Sequence, residues 1–172
     1  LFGVEGPRAD VEVIALQHHL FQKLGITDYE LHVSSIGDNN CRPAYRTKLM
    51  AQLESHRADL CPDCLRRMTK NPLRVFDCKN EKCQSIAKTL PVMLDHLCEA
   101  CSTHFDAVKA GLELLKVPFE VDPRIVRGID YYTRTAFEFI SHGIGAQGTI
   151  CGGGRYDNLI ETLEANGYVE GT

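Results

Sequence analysis

The sequence predicts an α+β fold, a β-containing core interrupted by a long, mostly helical excursion. Three observations predict it. Residues 30–36 and 134–141 alternate with the period of two expected of a half-buried strand. Between them, from Cys41 to about Lys116, apolar residues recur mainly at helical spacing. A third strand-like segment, Thr149 to Cys151, runs into three glycines, Gly152-Gly153-Gly154. A chain of 172 residues is long enough for one medium domain, or for a small domain carrying a large insertion.

The elements follow in order. Asp10 to Gly25 reads as an amphipathic helix: Val13, Leu16, Leu20 and Leu24 recur at helical spacing, Asp10 can cap the start, and Gly25 can end it. Glu30 to Ile36 reads as a strand with Leu31, Val33 and Ser35 on one face, closed by the turn cluster Gly37-Asp38-Asn39-Asn40. Tyr45, Leu49 and Leu53 share one helical face, and Phe105, Val108, Leu112 and Leu115 share another. Asn71-Pro72 and Leu90-Pro91 interrupt the excursion. Pro118 to Val121 and Arg134 to Ser141 are strand-like, and in the second Ala136, Glu138 and Ile140 oppose Thr135, Phe137 and Phe139. The glycine triple reads as a turn that opens a helix over Arg155 to Leu163. The expected division is core over 1–40, a Cys-rich helical insertion over 41–117, and core again over 118–172.

Composition narrows the function. Apolar residues make up 44% and charged residues 24%, as in ordinary globular proteins. No run of 18 apolar residues is present, so no membrane-spanning helix is expected. The segment Leu1-Phe2-Gly3-Val4-Glu5-Gly6 lacks the basic and apolar regions of a signal peptide, and a cytoplasmic location is expected. A net charge of −4 argues against a globally basic nucleic-acid binder, but a local patch remains. Between Arg66 and Lys88, seven basic residues (Arg66, Arg67, Lys70, Arg74, Lys79, Lys82 and Lys88) face only Asp77 and Glu81. Such a stretch is either a solvated face or a surface for phosphates, whose contacts would be salt-sensitive and largely sequence-independent.

Eight cysteines are many for a chain read as cytoplasmic, where paired spacings mean metal rather than disulfides. Cys61-Pro-Asp-Cys64 and Cys98-Glu-Ala-Cys101 each let two thiolates meet one ion, and Cys78 and Cys83 lie at a permitted spacing. Zinc takes four ligands and favours thiolate, so six candidates are two too many. Cys61, Cys64, Cys98 and Cys101 are the favoured set, joining both ends of the excursion, with Cys83 or Cys78 as substitutes. Cys61, Cys64, Cys78 and Cys83 would instead make a compact ribbon. The site expected is closed and structural. Thiols without metal are the plain alternative, and a redox pair is weaker because neither CxxC follows a thioredoxin-like βαβ pattern.

Two further segments carry chemistry. Val126-Arg127-Gly128-Ile129-Asp130-Tyr131-Tyr132-Thr133-Arg134-Thr135-Ala136-Phe137-Glu138 sets an arginine, a glycine and two tyrosines before an alternating strand. Arginine can clamp a phosphate or carboxylate, and the glycine lets backbone approach a ligand. A salt-bridged arginine with core tyrosines would look the same. Gly148-Thr149-Ile150-Cys151-Gly152-Gly153-Gly154-Arg155-Tyr156-Asp157-Asn158-Leu159 is the second, and it is neither GxGxxG nor a P-loop. Read as a turn before a helix, its glycines would aim amides at an anion.

In this order and separation, residues 127–138 and 152–159 resemble the two histidine-specific motifs of the histidyl-tRNA synthetase family of class II aminoacyl-tRNA synthetases. Asn71-Pro72-Leu73-Arg74-Val75-Phe76-Asp77 resembles part of the bacterial insertion domain, and residues 1–36 resemble the helix and strand leading into it. The resemblance implies a mostly antiparallel catalytic sheet with flanking helices, interrupted by the helical insertion. It implies a two-step reaction, in which histidine and ATP, with Mg2+, give histidyl-adenylate and pyrophosphate, and the histidyl group then passes to tRNA(His). Arg127 matches the catalytic arginine on the α-phosphate and the histidine carboxylate. Tyr132, with Tyr131 beside it, matches the reader of the imidazole, and Gly153, Gly154 and Tyr156 match the second pocket wall. Glu138 is a further pocket candidate, and Arg66, Arg67, Lys70 and Arg74 become candidates for the tRNA acceptor arm.

The resemblance also implies a homodimer and parts for which no residues fit: the first and second class II motifs, the Glu-Arg strand of the third, and an anticodon-binding domain. Residues 163–169 look like the far end of the third-motif helix, so a break in the sequence is expected near Thr162, and the chain alone is expected not to activate histidine. Two other readings compete. One is a histidine-sensing regulatory paralogue that partners ATP phosphoribosyltransferase, which usually lacks both the Arg127 motif and the cysteine-bearing insertion. The other is a free-standing zinc-dependent tRNA-binding module.

Overall fold

The computed structural model describes residues 1–125, 132–141, 143 and 148–165, apart from the side chains of Thr162 and Ala165. Helix α1 (Arg8–Lys23) leads into strand β1 (Glu30–Gly37). The excursion then carries α2 (Arg42–Ser55), α3 (Pro62–Lys70), α4 (Glu81–Ala87) and α5 (Glu99–Leu114), joined by short 3-10 turns. Strands β2 (Glu120–Val121), β3 (Thr133–Ile140) and β4 (Thr149–Arg155) and helix α6 (Leu159–Ala165) follow. None of the described helices is long and apolar enough to cross a membrane.

The strands form one sheet in the order β2-β1-β3-β4. β1 pairs parallel with β2 and antiparallel with β3, and β3 pairs antiparallel with β4. The sheet is therefore mostly antiparallel, as expected. Leu31, Val33, Phe137 and Phe139 alternate onto one face, where α1 and α5 cover them. A second core lies inside the excursion, built on Tyr45, Leu49, Leu53, Met68, Val75 and the cysteines. Helix α5 serves both: Cys101 belongs to the excursion's core, whereas Phe105, Val108 and Leu112 pack under the sheet.

Two local expectations are corrected. The face of α1 that packs is Val11, Ile14, Ala15, His18 and Phe21, while Val13, Leu16, Leu20 and Leu24 are exposed. Asp10 does not cap that helix, because its carboxylate turns inward to His104 and Arg155. The second correction concerns the glycine triple, which lies within β4 rather than in a turn. Gly152, Gly153 and Gly154 pair with Glu138, Phe137 and Ala136, and helix α6 begins only at Leu159. The reason is space: a Cβ on Gly153 would lie 2.6 Å from Phe137 Cζ, and one on Gly154 would lie 2.8 Å from the Thr135 carbonyl oxygen and 3.1 Å from the Tyr132 ring. Only a strand without side chains lies this close to those rings.

Candidate functional site

The two motifs meet at the junction of β3 and β4. Tyr132 immediately precedes β3, and its ring is almost wholly buried against Gly154. Tyr156 immediately follows β4, and its hydroxyl donates to the Tyr132 hydroxyl at 3.1 Å with the ring centroids 4.7 Å apart. Tyr156 is half-exposed, so this pair presents one wet and one buried phenol. Thr133 Oγ donates to Asp157 at 2.7 Å and accepts from the Asp157 N–H at 3.3 Å, fixing the two strand ends together. The sequence-predicted residues Tyr132, Tyr156, Gly153 and Gly154 are thus neighbours. Arg127 and Tyr131 lie outside the described residues. Glu138 stands apart, six residues along β3 or roughly 20 Å from Tyr132. Its carboxylate accepts from Thr149 Oγ at 3.4 Å.

Behind this junction lies a buried ionic network that the sequence did not signal. His104 Nε2 meets Asp10 Oδ2 at 2.7 Å, and Arg155 Nε meets both Asp10 oxygens at 3.3 Å. Arg155 also donates to Asp157 at 2.8 Å and to the Gly6 carbonyl at 2.9 Å. Burial works against the Arg155 cation, but its partners Asp157 and Asp10 outweigh it and raise its pKa. The network locks α1, α5 and the end of β4 behind the tyrosine pair.

The front edge is held differently. Arg134 adopts a left-handed backbone, φ 52°, where β3 shifts register between its two neighbours. Its guanidinium lies 3.8 Å from Asp38. Arg42 donates to the Ile36 carbonyl at 2.9 Å and to the Tyr132 carbonyl. The first turn of α2 is thereby tied directly to the tyrosine that begins β3. Beside it, a cavity of about 440 Å3 opens between β1 and the excursion, with Arg42, Arg46, Lys70 and Asn71 on its wall. Of the basic stretch, Lys70 reaches this cavity. Arg66, Arg74 and Lys82 pair locally with Asp63, Asp77 and Asp59, and Arg67 donates to the Arg74 carbonyl.

The cysteines do not assemble as the favoured set. Cys61 and Cys64 come together with Cys78 and Cys83, and Cys98 and Cys101 come together with Cys41 and Asp38. The ligand atoms within each group all lie within 4.8 Å of one another. The reason is local and repeated. Cys61 and Cys98 occupy the N-cap positions of α3 and α5 with nearly the same backbone (φ −69°, ψ 161° and φ −71°, ψ 162°), and Cys64 and Cys101 follow within each first helical turn. Each CxxC therefore faces whatever its own helix start faces: α3 the loop before α4 and that helix's first turn, α5 the turn between β1 and α2.

Helix-start amides also prepare the thiols. The Cys64 N–H, then the Cys64, Cys83 and Cys78 thiols, lower Cys61 to about 7, while burial raises Cys64 and Cys83. The Cys101 N–H likewise lowers the Cys98 thiol below its ordinary value, and burial raises Cys101. Burial would raise Asp38 too, but the Asn40 N–H and the Cys101 and Cys41 thiols hold its carboxyl below the ordinary value. The four thiols of Cys61, Cys64, Cys78 and Cys83 around one point are the soft donor set that suits zinc.

Comparison with known proteins places this architecture. The histidyl-tRNA synthetase family model matches residues 1–171. A histidine–tRNA ligase of Anaeromyxobacter sp. (strain K) is 53% identical over 162 residues, covering 94% of this chain and 39% of that protein. The histidine–tRNA ligase of Acetivibrio thermocellus is 49% identical over 160 residues, covering 93% of this chain and 38% of that protein. The crystal structure of apo S. aureus histidyl-tRNA synthetase superposes with a TM-score of 0.72 at 36% identity, covering 94% of this chain and 39% of the other. The sheet and its flanking helices are thus those of a class II aminoacyl-tRNA synthetase core. Within that class, the chain belongs to the histidyl-tRNA synthetase family. It spans about 39% of the length of the first curated relatives it matches.

Proposed function

We propose that this chain forms the insertion and part of the active site of a histidine–tRNA ligase, which activates histidine with ATP and Mg2+ and transfers it to tRNA(His). The observation that carries the reading is the direct contact between the two histidine motifs, Tyr156 hydroxyl to Tyr132 hydroxyl, at the mouth of the β3–β4 junction. Two phenols in mutual contact, one buried and one wet, can offer a donor and an acceptor to the two nitrogens of an imidazole. A site built on such hydrogen bonds rejects side chains that leave its polar groups unpaired. The buried Asp10–His104–Arg155 network holds that wall rigidly from behind.

In this reading Arg127 meets the α-phosphate, where charge builds as the histidine carboxylate attacks, and Tyr131 flanks the pocket. Glu138 is too far along β3 to touch the same ring, and its proposed pocket role is dropped. The tRNA acceptor arm meets the basic face through Lys70 together with Arg66, Arg67 and Arg74, and Arg42 and Arg46 add charge beside Lys70. Residues 41–117 act as an insertion on a core formed by 1–40 and 118–172, with α5 shared between them. The Cys61, Cys64, Cys78 and Cys83 set holds a structural Zn2+ that organises this insertion. The assembled enzyme is a cytoplasmic homodimer.

The test is histidine-dependent ATP–pyrophosphate exchange in the full-length protein, beside Arg127→Ala and the 172-residue chain alone. Exchange in the full-length protein, abolished by the substitution and absent from the short chain, is expected. An intact, folded full-length protein with no exchange would overturn the reading in favour of histidine sensing.

A further inference from the structure

The cysteine spacings lead to an expectation of one zinc site, yet the fold makes two groups. We propose that Asp38, Cys41, Cys98 and Cys101 form a second, independent site for a thiophilic divalent cation, zinc by chemistry, which clamps the end of β1 to the starts of α2 and α5. The inference stands on geometry and does not depend on the proposed catalytic function.

The distances fit a tetrahedron. With metal–sulfur bonds of about 2.3 Å, the sulfur–sulfur edges are about 3.8 Å, and a carboxylate ligand makes sulfur–oxygen edges of about 3.5 Å. Cys41 and Cys101 sulfurs are 3.9 Å apart, Cys41 Sγ is 3.6 Å from Asp38 Oδ1, and Cys98 Sγ is 3.9 Å from the same oxygen. The Cys61–Cys78 separation in the first group is 3.7 Å, so both groups have the same dimensions. A disulfide would need about 2.05 Å between sulfurs.

The surroundings are those of a closed site. Cys101 is fully buried, Cys41 and Asp38 are nearly so, and Met93 lies against the turn. Gly37 holds that turn at φ 65°, and a Cβ there would lie 2.7 Å from Cys41 Sγ and 2.4 Å from Met93 Cε. The Asn40 N–H donates to Asp38 Oδ1 at 2.9 Å, and Arg134 lies 3.8 Å from the other carboxylate oxygen. These outer contacts orient a ligand and offset the excess negative charge of three thiolates and a carboxylate. On binding, the three thiols release their protons to solvent and the ion takes their lone pairs, with no change of oxidation state. Cys41 and Asp38 lie 60 residues from Cys101 and Cys98, so the ion closes the base of the excursion, whereas the first group closes a loop inside it.

The experiment is zinc content and competition with a chromophoric chelator, on full-length protein purified under reducing conditions. Cys64→Ser and Cys41→Ser should each remove one zinc per chain, and the double variant should remove two. In cobalt-exchanged protein, the ion surviving in Cys41→Ser should show four-thiolate charge-transfer absorption, and that surviving in Cys64→Ser the weaker absorption of three. Asp38→Asn, which preserves volume and should fold, is expected to weaken only one ion, by about tenfold or more. Unchanged zinc content in Cys41→Ser, or an Asp38→Asn protein that binds both ions as tightly as the parent, overturns the proposal. So does a disulfide among Cys41, Cys98 and Cys101 in the reductively purified protein.

Discussion

Replacing Gly153 or Gly154 by alanine tests whether the glycine triple is a ligand-approach turn or a thinned strand. A turn facing solvent or an anion would accept one methyl group at little cost to stability. In the structure the same methyl on Gly153 enters the Phe137 ring, 2.6 Å from Cζ and 2.8 Å from Cε1. That ring cannot easily give, because it is buried and sits edge-on to Phe139 at 6.0 Å. On Gly154 the methyl meets backbone, the Thr135 oxygen at 2.8 Å, and the Tyr132 ring at 3.1 Å. Overpacking of this kind costs about 1–3 kcal/mol, and Gly154→Ala should fall in the upper half because strand β3 itself must move. Gly6→Ala is the control: nothing lies within 4 Å of its Cβ, so its effect should stay within about 0.5 kcal/mol. Urea unfolding reads the difference directly, with midpoints lower by about 1 M for a slope of about 2 kcal/mol/M. Gly154→Ala should also lower histidine affinity by displacing Tyr132. Midpoints for both β4 variants equal to that of Gly6→Ala would refute the strand-packing argument.

Asp10→Asn leaves the buried Arg155 and His104 without their shared carboxylate, and should cost about 3 kcal/mol in the same unfolding assay. Tyr156→Phe removes the hydroxyl contact with Tyr132, so stability should fall by only about 1 kcal/mol, while KM for histidine rises by about tenfold in pyrophosphate exchange. His18 is held below its ordinary value of 6.5, first by burial and then by His19, and its Nδ1 lies 2.9 Å from the Tyr29 hydroxyl. The folded chain resists a proton that the unfolded chain accepts, so His18 costs nothing well above that value and lowers stability as pH falls through it. Urea midpoints across about pH 5 to 8 should show this slope, and His18→Gln should flatten it. Removing zinc with a chelator should expose the segment around α3 and α4 to limited proteolysis before α1 or the sheet is cut.

What the sequence disclosed divides along a physical line. Patterns decided within a few residues were legible: the strand at Glu30, the Tyr45-Leu49-Leu53 face, and each CxxC as a two-ligand unit. Helix α1 was legible as a helix but not in its orientation, because it is apolar on two faces. Val13, Leu16, Leu20 and Leu24 repeat as regularly as Val11, Ile14, Ala15, His18 and Phe21, and periodicity alone cannot tell which stripe packs. Cysteine pairing was hidden for a different reason. Spacing says that two thiols can share an ion but not which distant ligands complete it, and that choice rests on where each helix begins. A signal for the second group did exist, in Asp38-Asn39-Asn40-Cys41, a further two-residue spacing whose first member is a carboxylate.

Within residues 152–159, one short segment combines a buried ionic anchor with a half-exposed phenol, the two parts that the proposed function needs. Successive residues at a strand end point to opposite faces. Arg155 turns back to Asp10, the Gly6 carbonyl and Asp157, and Tyr156 turns forward to Tyr132. A single step along the chain thus separates a buried ion pair from a half-exposed phenol. The Arg155 guanidinium is thus taken up by Asp10, Asp157 and the Gly6 carbonyl, although it sits in the middle of the second motif. Its guanidinium fixes the direction of the peptide that carries Tyr156, and Asp157 reinforces it by bonding both Arg155 and Thr133 across the two strands. Arg155→Lys keeps the charge but has no planar fork with which to reach Asp10, Asp157 and the backbone carbonyls at once. It should lower stability by an amount similar to Asp10→Asn, and the double variant should cost less than the two losses added. Strict additivity in that double-mutant cycle would mean that the two side chains are not coupled, and the rear support of the tyrosine wall would have to lie elsewhere.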